Sequence, residues 1–219
     1  MPPTAGSSIV VTDTTQDIGL GVAGVSRTYF NLSSDGVTQG MYLGDRGIVP
    51  LAASGGSSTG STTLTLPAYL IGTYYIIGCA NGANQVPESN TSNNCMATSS
   101  FNLLGADLVI SNVGVPSHAS GTIAVANTTT NQPGGSLAGS SATYIYFSTD
   151  GVTLGKLLGG HNVAALAPGA SSSATTTVTL PSGLSSGSYF VIVCADATNT
   201  VPESNEANNC TASSAFSVP

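Results

Sequence analysis

Charge is scarce in this sequence. Only 6% of its 219 residues are charged, only 3 are Lys or Arg, and the net charge is -7. Three cations cannot neutralise a phosphate backbone or hold an anionic lipid surface, so nucleic-acid binding and electrostatic membrane binding are excluded. Ser, Thr, Asn and Gly must therefore cover most of the surface. Such a surface suits a protein that carries glycans or packs against copies of itself.

Long apolar runs are missing as well. No stretch approaches the roughly 20 apolar residues that a membrane helix needs, so we expect no membrane insertion. The first six residues, Met-Pro-Pro-Thr-Ala-Gly, have neither a basic region nor an apolar core, so we expect no signal peptide there. No window combines helical periodicity with helix-forming residues, because Gly and Pro interrupt the chain too often. The sequence therefore predicts an all-β protein.

Catalytic motifs are also lacking. The sequence has no nucleophile elbow, no phosphate-binding loop and no His-rich metal spacing. His118 and His161 lie in turn-like contexts, away from any nucleophile motif. Glu88 and Glu203 could in principle form the carboxylate pair of a glycosidase, but they belong to separate copies of a repeated loop. We therefore expect that the protein is not an enzyme.

What the sequence does contain is an internal repeat. Residues 26–38 match residues 141–153, and two cysteine-flanked loops share the same offset of about 115 residues. Such self-similarity indicates two copies of one module of about 100 residues. We place module one at residues 1–104 and module two at residues 105–219.

Each module consists of short strands separated by turns. In module two the strand signals cover residues 108–113, 122–126, 144–148, 157–158, 163–164, 175–180, 188–194 and 212–218. Short, evenly spaced strands of this kind predict two tandem immunoglobulin-like β-sandwich modules.

Module one is predicted to lack its first strand. Its counterpart of the second strand is Ile9-Val10-Val11, and the residues before it are rich in Pro, Gly and Ser. A sandwich without an edge strand leaves backbone groups unpaired and apolar side chains uncovered. We therefore predict that Ile9, Val10 and Val11 form an assembly edge.

The four cysteines form two pairs at equal spacing. Cys79 and Cys95 flank one Asn-rich loop, and Cys194 and Cys210 flank the other. The alternative, a metal site, has only two thiol ligands per copy and no histidine beside them. We therefore predict the disulfides Cys79–Cys95 and Cys194–Cys210, and an oxidising compartment.

The Asn-rich loop of module two offers oxygen ligands for calcium. The candidates are Asp196, Asn199, Glu203, Asn205, Glu206 and Asn208. The alternative is that these side chains cap turns within their own loop, and we favour it because their spacing matches no compact calcium loop. Candidate glycosylation sites are Asn31, Asn90 and Asn127, each in an Asn-x-Ser/Thr motif.

Four motifs follow one another in module two: Ala106-Asp107-Leu108-Val109, Leu166-Ala167-Pro168-Gly169, Gly187-Ser188-Tyr189 and the polar run from Asp196 to Asn209. In this order they resemble the CARDB module, the cell-adhesion-related domain found in bacteria. The resemblance implies an extracellular immunoglobulin-like sandwich of a bacterial or archaeal surface protein, with an adhesive or scaffolding role. Module one departs from the pattern, with Asn81 in place of Asp196 and Thr91 in place of Glu206.

Two functions fit these observations. The first is an extracellular structural protein, a subunit that assembles with copies of itself into a surface fibre or layer through β-strand addition. The second is an adhesin module that recognises a carbohydrate or host surface as part of a larger cell-surface protein. The low charge and the incomplete module one favour the first.

Overall fold

A computed structural model describes residues 2–219. The chain divides into two compact units, Met1–Leu103 and Leu104–Pro219, one residue before the boundary that the repeat predicts. Residues 2–219 contain strands and turns and no helix. The fold class predicted from the sequence is confirmed: two tandem all-β sandwich modules, of which the first lacks its first strand.

Module two is built from two sheets of antiparallel strands. The smaller sheet has the order β12-β9-β8, and the larger has the order β11-β10-β13-β14, with β15 also paired to β13. The strands are β8 (Leu108–Gly114), β9 (Thr122–Asn131), β10 (Ser141–Ser148), β11 (Leu157–Val163), β12 (Ser171–Thr179), β13 (Gly187–Cys194), β14 (Cys210–Ala212) and β15 (Phe216–Val218). The segment predicted as one final strand is thus two, and the two predicted edge segments at 157–164 form one strand.

Module one repeats this plan with one strand fewer. Its larger sheet has the order β3-β2-β5-β6, with β7 paired to β5, and its smaller sheet contains only β1 and β4. The strands are β1 (Ser8–Gln16), β2 (Ser26–Ser33), β3 (Met41–Ile48), β4 (Ser57–Thr65), β5 (Gly72–Cys79), β6 (Cys95–Ala97) and β7 (Phe101–Leu103). Strand β1 corresponds to β9, and no strand corresponds to β8.

The same turn follows β2 in module one and β10 in module two. Asp35 Oδ1 accepts the backbone N–H groups two and three residues ahead at 2.8 and 2.7 Å, and Asp150 does the same. Gly36 and Gly151 follow with φ of 72° and 74°, which a side chain rarely adopts. The hydrogen bonds hold the pKa of both carboxyls below the usual range. The local Asp-Gly sequence therefore sets the turn.

The core of module two lies between its two sheets. Strand β13 contributes Val191 and Val193, both with 0% exposure, and the neighbouring β10 of the same sheet contributes Ile145, which pairs with Val193. Strand β12 is amphipathic: Val178 is buried, whereas the alternate Ser and Thr residues face solvent. Alternation of this kind places one face on the core and the other in water. The same alternation occurs in β4 of module one.

Candidate functional site

One edge of β1 distinguishes module one from module two. Leu66 N donates to Ser7 O, and Asp17 N donates to Gly56 O, both at 2.8 Å. Backbone groups alternate sides along a strand, so the odd-numbered residues of β1 face β4 and the even-numbered ones face away. Within residues 2–219, no strand pairs with that second side of β1. The outward-facing set is Ser8, Val10, Thr12, Thr14 and Gln16.

In module two the equivalent edge is occupied. Strand β9 pairs with β12 on one side and with β8 on the other. The pairing continues beyond the strand, where Gln132 N donates to Asp107 O at 2.7 Å. The edge that is open in module one is therefore a ladder of hydrogen bonds in module two.

The inner face of β1 is correspondingly less covered. Ile123 and Val125 of β9 are 2% and 0% exposed, whereas their counterparts Ile9 and Val11 are only half-buried. Val10 points outward and is 67% exposed. The three residues predicted as an assembly edge therefore lie on the strand that has an open side.

Strand β8 covers the core of module two with two side chains. Leu108 and Ile110 are 0% and 4% exposed and belong to the same buried cluster as Val125 and Val193. Module one has no equivalents, and it repacks in part: Phe30 replaces Ile145, and its ring lies 3.5 Å from the position that a Cβ would take on Gly78. The exchange of a valine for glycine makes room for the larger ring.

The Asn-rich loop of module two holds the start of β8. Glu203 is 3% exposed, and its Oε2 accepts a short hydrogen bond from Leu108 N. Its Oε1 accepts one from Asn209 Nδ2 at 2.9 Å. Ser204 N donates to Ala106 O at 2.8 Å. Glu203, Ser204, Asn208 and Asn209 of the loop therefore hold the start of the first strand, and we call these four residues the seat. The sequence pattern did not predict this role for Glu203.

Two further contacts complete this seat. Ser204 Oγ accepts from Gly105 N at 2.8 Å, and Asn208 Nδ2 donates to Asp107 Oδ1 at 2.8 Å. Burial raises the pKa of Glu203 to about 7, since the desolvated carboxylate also lies near the charges of Glu206 and Asp196. The seat thus combines backbone pairing with one buried carboxyl group.

The proposed calcium ligands are mostly engaged within their own loop. Asp196 accepts Val201 N at 2.7 Å and Thr200 Oγ1 at 2.8 Å, and it takes a positive φ of 36°. Asn205 Oδ1 and Glu206 Oε1 each accept a backbone N–H of the loop, and Asn199 occupies a second positive-φ position at 50°. These side chains shape turns, as Asn and Asp commonly do.

No metal site is assigned to this loop. Within residues 2–219, no group of three or more His, Cys, Asp or Glu side chains is placed to hold an ion. Glu203 contributes both carboxylate oxygens to hydrogen bonds with protein N–H groups. Asn208 Oδ1 is buried without a hydrogen-bond partner among residues 2–219, but one amide oxygen falls short of the roughly six to eight oxygens that calcium takes. We therefore assign no cofactor.

Both predicted disulfides are present. Cys79–Cys95 joins β5 to β6 with a Cα separation of 4.1 Å, and Cys194–Cys210 joins β13 to β14 at 4.0 Å. Each bridge closes the base of one Asn-rich loop, where the paired strands bring the cysteines into register. Two such bridges are typical of an oxidising, extracytoplasmic environment.

The loop of module one keeps the shape of its counterpart. Asn81 takes the place of Asp196: its Oδ1 accepts Gln85 N at 2.7 Å and Val86 N at 3.1 Å. Its Nδ2 donates to Glu88 Oε1 at 2.7 Å, and Asn94 Nδ2 donates to the same oxygen at 3.1 Å. Glu88 is exposed, because no strand covers it. The loop therefore presents an exposed carboxylate that two amide groups hold in place.

The predicted glycosylation sites differ in accessibility. Asn31 lies in β2 and is 6% exposed, and Asn127 lies in β9 and is 2% exposed. A glycan on either amide would have no room in the folded module, so both predictions are withdrawn. Asn90 is exposed in the loop of module one and stays a candidate.

An apolar loop next to the open edge was missed by the sequence analysis. Ile18, Leu20 and Val22 follow β1 and are 69%, 94% and 72% exposed. In module two, the corresponding loop contacts the start of β8 through Ser136 N, which donates to Gly105 O at 3.0 Å. The alternation of Gly with apolar residues in this loop was the available signal.

Comparison with known proteins places both modules in one family. The CARDB family model matches residues 2–98 and 105–213. A crystal structure of a CARDB domain from Pyrococcus furiosus, solved in complex with di-metal ions, is 24% identical and covers 52% of this chain and 90% of its own, with a TM-score of 0.41. The solution structure of the CARDB domain from the same source is 26% identical and covers 53% of this chain and 97% of its own, with a TM-score of 0.39.

A search of curated proteins found no match to this sequence. Within residues 2–219, no helix has the length and apolar character needed to cross a membrane. CARDB domains are non-catalytic, cell-adhesion-related surface domains. The matched segments cover nearly all of both modules, and the chain belongs to the CARDB family.

Proposed function

We propose that the protein is an extracellular structural component of a prokaryotic cell surface, and that module one is completed by a β-strand from a neighbouring molecule. The observation that carries this proposal is the open edge of β1, beside a second module in which the same edge is filled by β8. An added strand would pair the outward backbone groups and cover the half-buried Ile9 and Val11.

The edge has none of the usual protection against pairing. Strand β1 has the sequence Ser-Ile-Val-Val-Thr-Asp-Thr-Thr-Gln, without Pro, Lys or Arg, and its register with β4 shows no bulge. Edge strands of soluble monomers are normally short, bulged or charged, because a long regular edge is a template for another strand. Asp13 does not protect the edge, since its carboxylate is bonded to Arg46 on the inner side.

Strand addition of this kind is head-to-tail when module one of one molecule receives a segment from a different region of the next. Head-to-tail contacts that do not close into a ring generate open filaments or layers. The partners are then further copies of this chain. Only 6% of the residues are charged, so close packing of many copies buries few charged side chains, although each copy carries a net charge of -7.

A second candidate function is a binding module of a larger adhesin. The outward faces of both smaller sheets carry paired hydroxyl groups, such as Thr12 Oγ1 with Ser61 Oγ at 2.8 Å and Thr128 Oγ1 with Ser173 Oγ at 2.9 Å. A flat face lined with hydroxyls can bind a carbohydrate or carry O-linked glycans. Calcium is not part of either proposal, because both carboxylate oxygens of Glu203 and of Asp196 accept hydrogen bonds from the protein.

Analytical ultracentrifugation and electron microscopy of the full chain test the first function. Thr12→Pro removes an outward-facing N–H and leaves the β1–β4 hydrogen bonds intact, so it should abolish concentration-dependent assembly. Val10→Lys should weaken assembly, whereas its matched control Ala124→Lys, on a strand with both sides paired, should not. A wild-type chain that stays monomeric at high concentration, with full hydrogen-exchange protection of the Val10 and Thr12 amides, would contradict the proposal.

A further inference from the structure

The loop of module one keeps the residues that seat a first strand in module two. In module two, four side chains of the loop make this seat, and each has a counterpart of the same type 115 positions earlier. The pairs are Glu203 and Glu88, Ser204 and Ser89, Asn208 and Asn93, and Asn209 and Asn94. Some other loop positions are shared as well, such as Pro87 and Pro202, and others differ, with Asn81 for Asp196 and Thr91 for Glu206. Module one therefore keeps the four loop residues that hold a first strand, although it has no first strand of its own.

The carboxylate of this seat is already held in place. Asn81 and Asn94 both donate to Glu88 Oε1, whereas Glu88 Oε2 has no hydrogen-bond partner among residues 2–219. In module two, the equivalent oxygen of Glu203 accepts the backbone N–H of Leu108. An exposed carboxylate that is fixed at one oxygen and free at the other is oriented to accept one more N–H group.

The surroundings of the seat also lack what β8 supplies. In module two, Thr211 Oγ1 donates to Ile110 O at 3.0 Å, so β8 lies against β14. The counterpart of Thr211 is Met96, which is 81% exposed. On the other side of the gap lie the half-buried Ile9 and Val11 and the exposed loop of Ile18, Leu20 and Val22. Apolar surface therefore lines the path that runs from Glu88 along β1.

We propose that Glu88 and Asn93 form a receptor for the start of an incoming strand of the Ala-Asp-Leu-x-Ile type, which is the start of β8 lent by another copy of this chain. The strand runs antiparallel to β1 and begins at the Asn-rich loop. Glu88 Oε2 accepts the backbone N–H of its leucine, Asn93 donates to its aspartate, and its leucine and isoleucine cover the core of module one. This inference rests on the proposed function, since it defines which strand the open edge accepts.

The orientation follows from the register of module two. There, Leu108 lies opposite Asn131 and Val109 lies opposite Thr130 at the end of β9. The counterpart of Asn131 is Asp17, at the end of β1 next to the Asn-rich loop. The leucine of the incoming strand is thus opposite Asp17, and its later residues meet Gln16, Thr14 and Thr12 in turn. A strand in the opposite direction would leave Glu88 without a donor at its start.

A synthetic peptide with the sequence of residues 104–115 is the probe, used with the full-length chain. Binding is measured by the anisotropy of a labelled peptide, and the site is located by hydrogen exchange. We expect slowed exchange at the Thr12, Thr14 and Gln16 amides, which face the open side of β1 and lie within the register of β8 on β9. Glu88→Ala should weaken binding by about tenfold or more, because it removes a charged acceptor of a hydrogen bond. Gln85→Ala, in the same loop and outside the seat, should leave affinity unchanged.

A variant of the peptide tests the same contact without any change that could misfold module one. Replacing the aspartate of the peptide by alanine changes no residue of the protein, and it should weaken binding several-fold through loss of the bond to Asn93. Equal affinity of the Glu88→Ala and Gln85→Ala chains, or bound peptide that leaves the β1 amides unprotected, would overturn the inference.

The inference and the proposed function fail separately. If the chain forms filaments that neither the peptide nor Glu88→Ala affects, strand addition at the cell surface stands and the receptor assignment is wrong. If the peptide binds in a Glu88-dependent way to a chain that stays monomeric at all concentrations, the receptor is correct and self-assembly is wrong.

Discussion

Strands β9 and β1 are counterparts, yet one is an interior strand and the other is an edge. β9 pairs on both sides, and its inward side chains are fully buried. β1 pairs only with β4, and its inward Ile9 and Val11 are half-buried. The difference arises from one seven-residue strand, Leu108–Gly114. A single missing strand thus converts a structural element into a surface that can accept a partner.

The modules also differ in how they fill the space between their sheets. In module one, Arg46 forms a two-point ion pair with Asp13, with Nε–Oδ1 at 2.7 Å and Nη2–Oδ2 at 2.5 Å, and both side chains are mostly buried. In module two the same positions hold Asn127 and His161. Both amide atoms of Asn127 and Nε2 of His161 are buried without a hydrogen-bond partner among residues 2–219. At these two positions, module one therefore has an ion pair, whereas module two has buried polar atoms without hydrogen-bond partners.

The largest expected effect is the loss of stability when proline is placed on β9, compared with the same change on β1. Ala126 and Thr12 are counterparts. The backbone N–H of Ala126 points away from β12, and that of Thr12 points away from β4. Ala126→Pro removes a donor to β8 and should destabilise module two by about 3 kcal/mol, whereas Thr12→Pro should cost module one about 1 kcal/mol or less. Urea unfolding followed by hydrogen exchange in each module measures both. Equal losses would show that the outer side of β1 is already paired.

The next effect concerns pH. The pKa of Glu203 is about 7 in the folded protein against an ordinary value of 4.5, because burial disfavours its charged form. The folded state therefore holds this proton more tightly than the unfolded state does. The resulting stability is complete below about pH 4.5 and is lost as the pH rises through about 7, by on the order of 3 kcal/mol.

Glu203→Gln should remove this pH dependence from module two. His161 acts in the opposite direction, because burial lowers its pKa and favours folding at higher pH. The difference between wild type and Glu203→Gln isolates the carboxyl group from the imidazole. Parallel stability curves for the two proteins between pH 4 and 8 would contradict the assignment.

Much of this architecture was predictable from the sequence because the repeat aligns every major element. The alternation in β12, the Asp-Gly turns and the cysteine spacing each have a local cause, so the strands and both disulfides could be predicted. The missing first strand was also predictable, since it follows from comparing the two copies. What could not be predicted was the partner of Glu203. That contact joins residues 95 positions apart, and no local pattern encodes it.

The buried Asn residues were mistaken for the same reason. Asn31 and Asn127 satisfy a glycosylation motif that depends on three residues, whereas their burial depends on the register of whole strands. For the loop carboxylates, the sequence left open whether they bind calcium or cap turns, and it favoured the caps. The structure shows backbone N–H groups donating to Asp196 and Glu203, and only the folded loop reveals those partners.

A third prediction concerns the ion pair between Arg46 and Asp13 and its module-two counterparts, His161 and Asn127, whose buried polar atoms lack partners. Asp13→Asn should destabilise module one by about 2 kcal/mol, because it leaves the mostly buried guanidinium of Arg46 without its counter-charge. In module two, His161→Arg or Asn127→Asp alone should also destabilise. Together they should recover at least about 1 kcal/mol relative to the sum of the single changes. A double-mutant cycle by chemical unfolding measures the coupling, and additive single effects would show that the two positions do not interact.

The smallest effect separates the two Asn-rich loops. Asn208 Nδ2 donates to Asp107 Oδ1 and so links the loop to the first strand, whereas its counterpart Asn93 is exposed and has no first strand to hold. Asn208→Ala should therefore lower the stability of module two by about 1 kcal/mol, the usual net value of one such hydrogen bond. Asn93→Ala should have no measurable effect on the monomer.

Thermal unfolding of both variants is compared with and without calcium and with a chelator. Because Asn208 acts on Asp107 and not on an ion, the loss should be the same in all three conditions. A loss that appears only with calcium would instead assign Asn208 to a metal site. A loss of similar size for Asn93→Ala in assembled protein, but not in the monomer, would show that an incoming strand occupies the seat of module one.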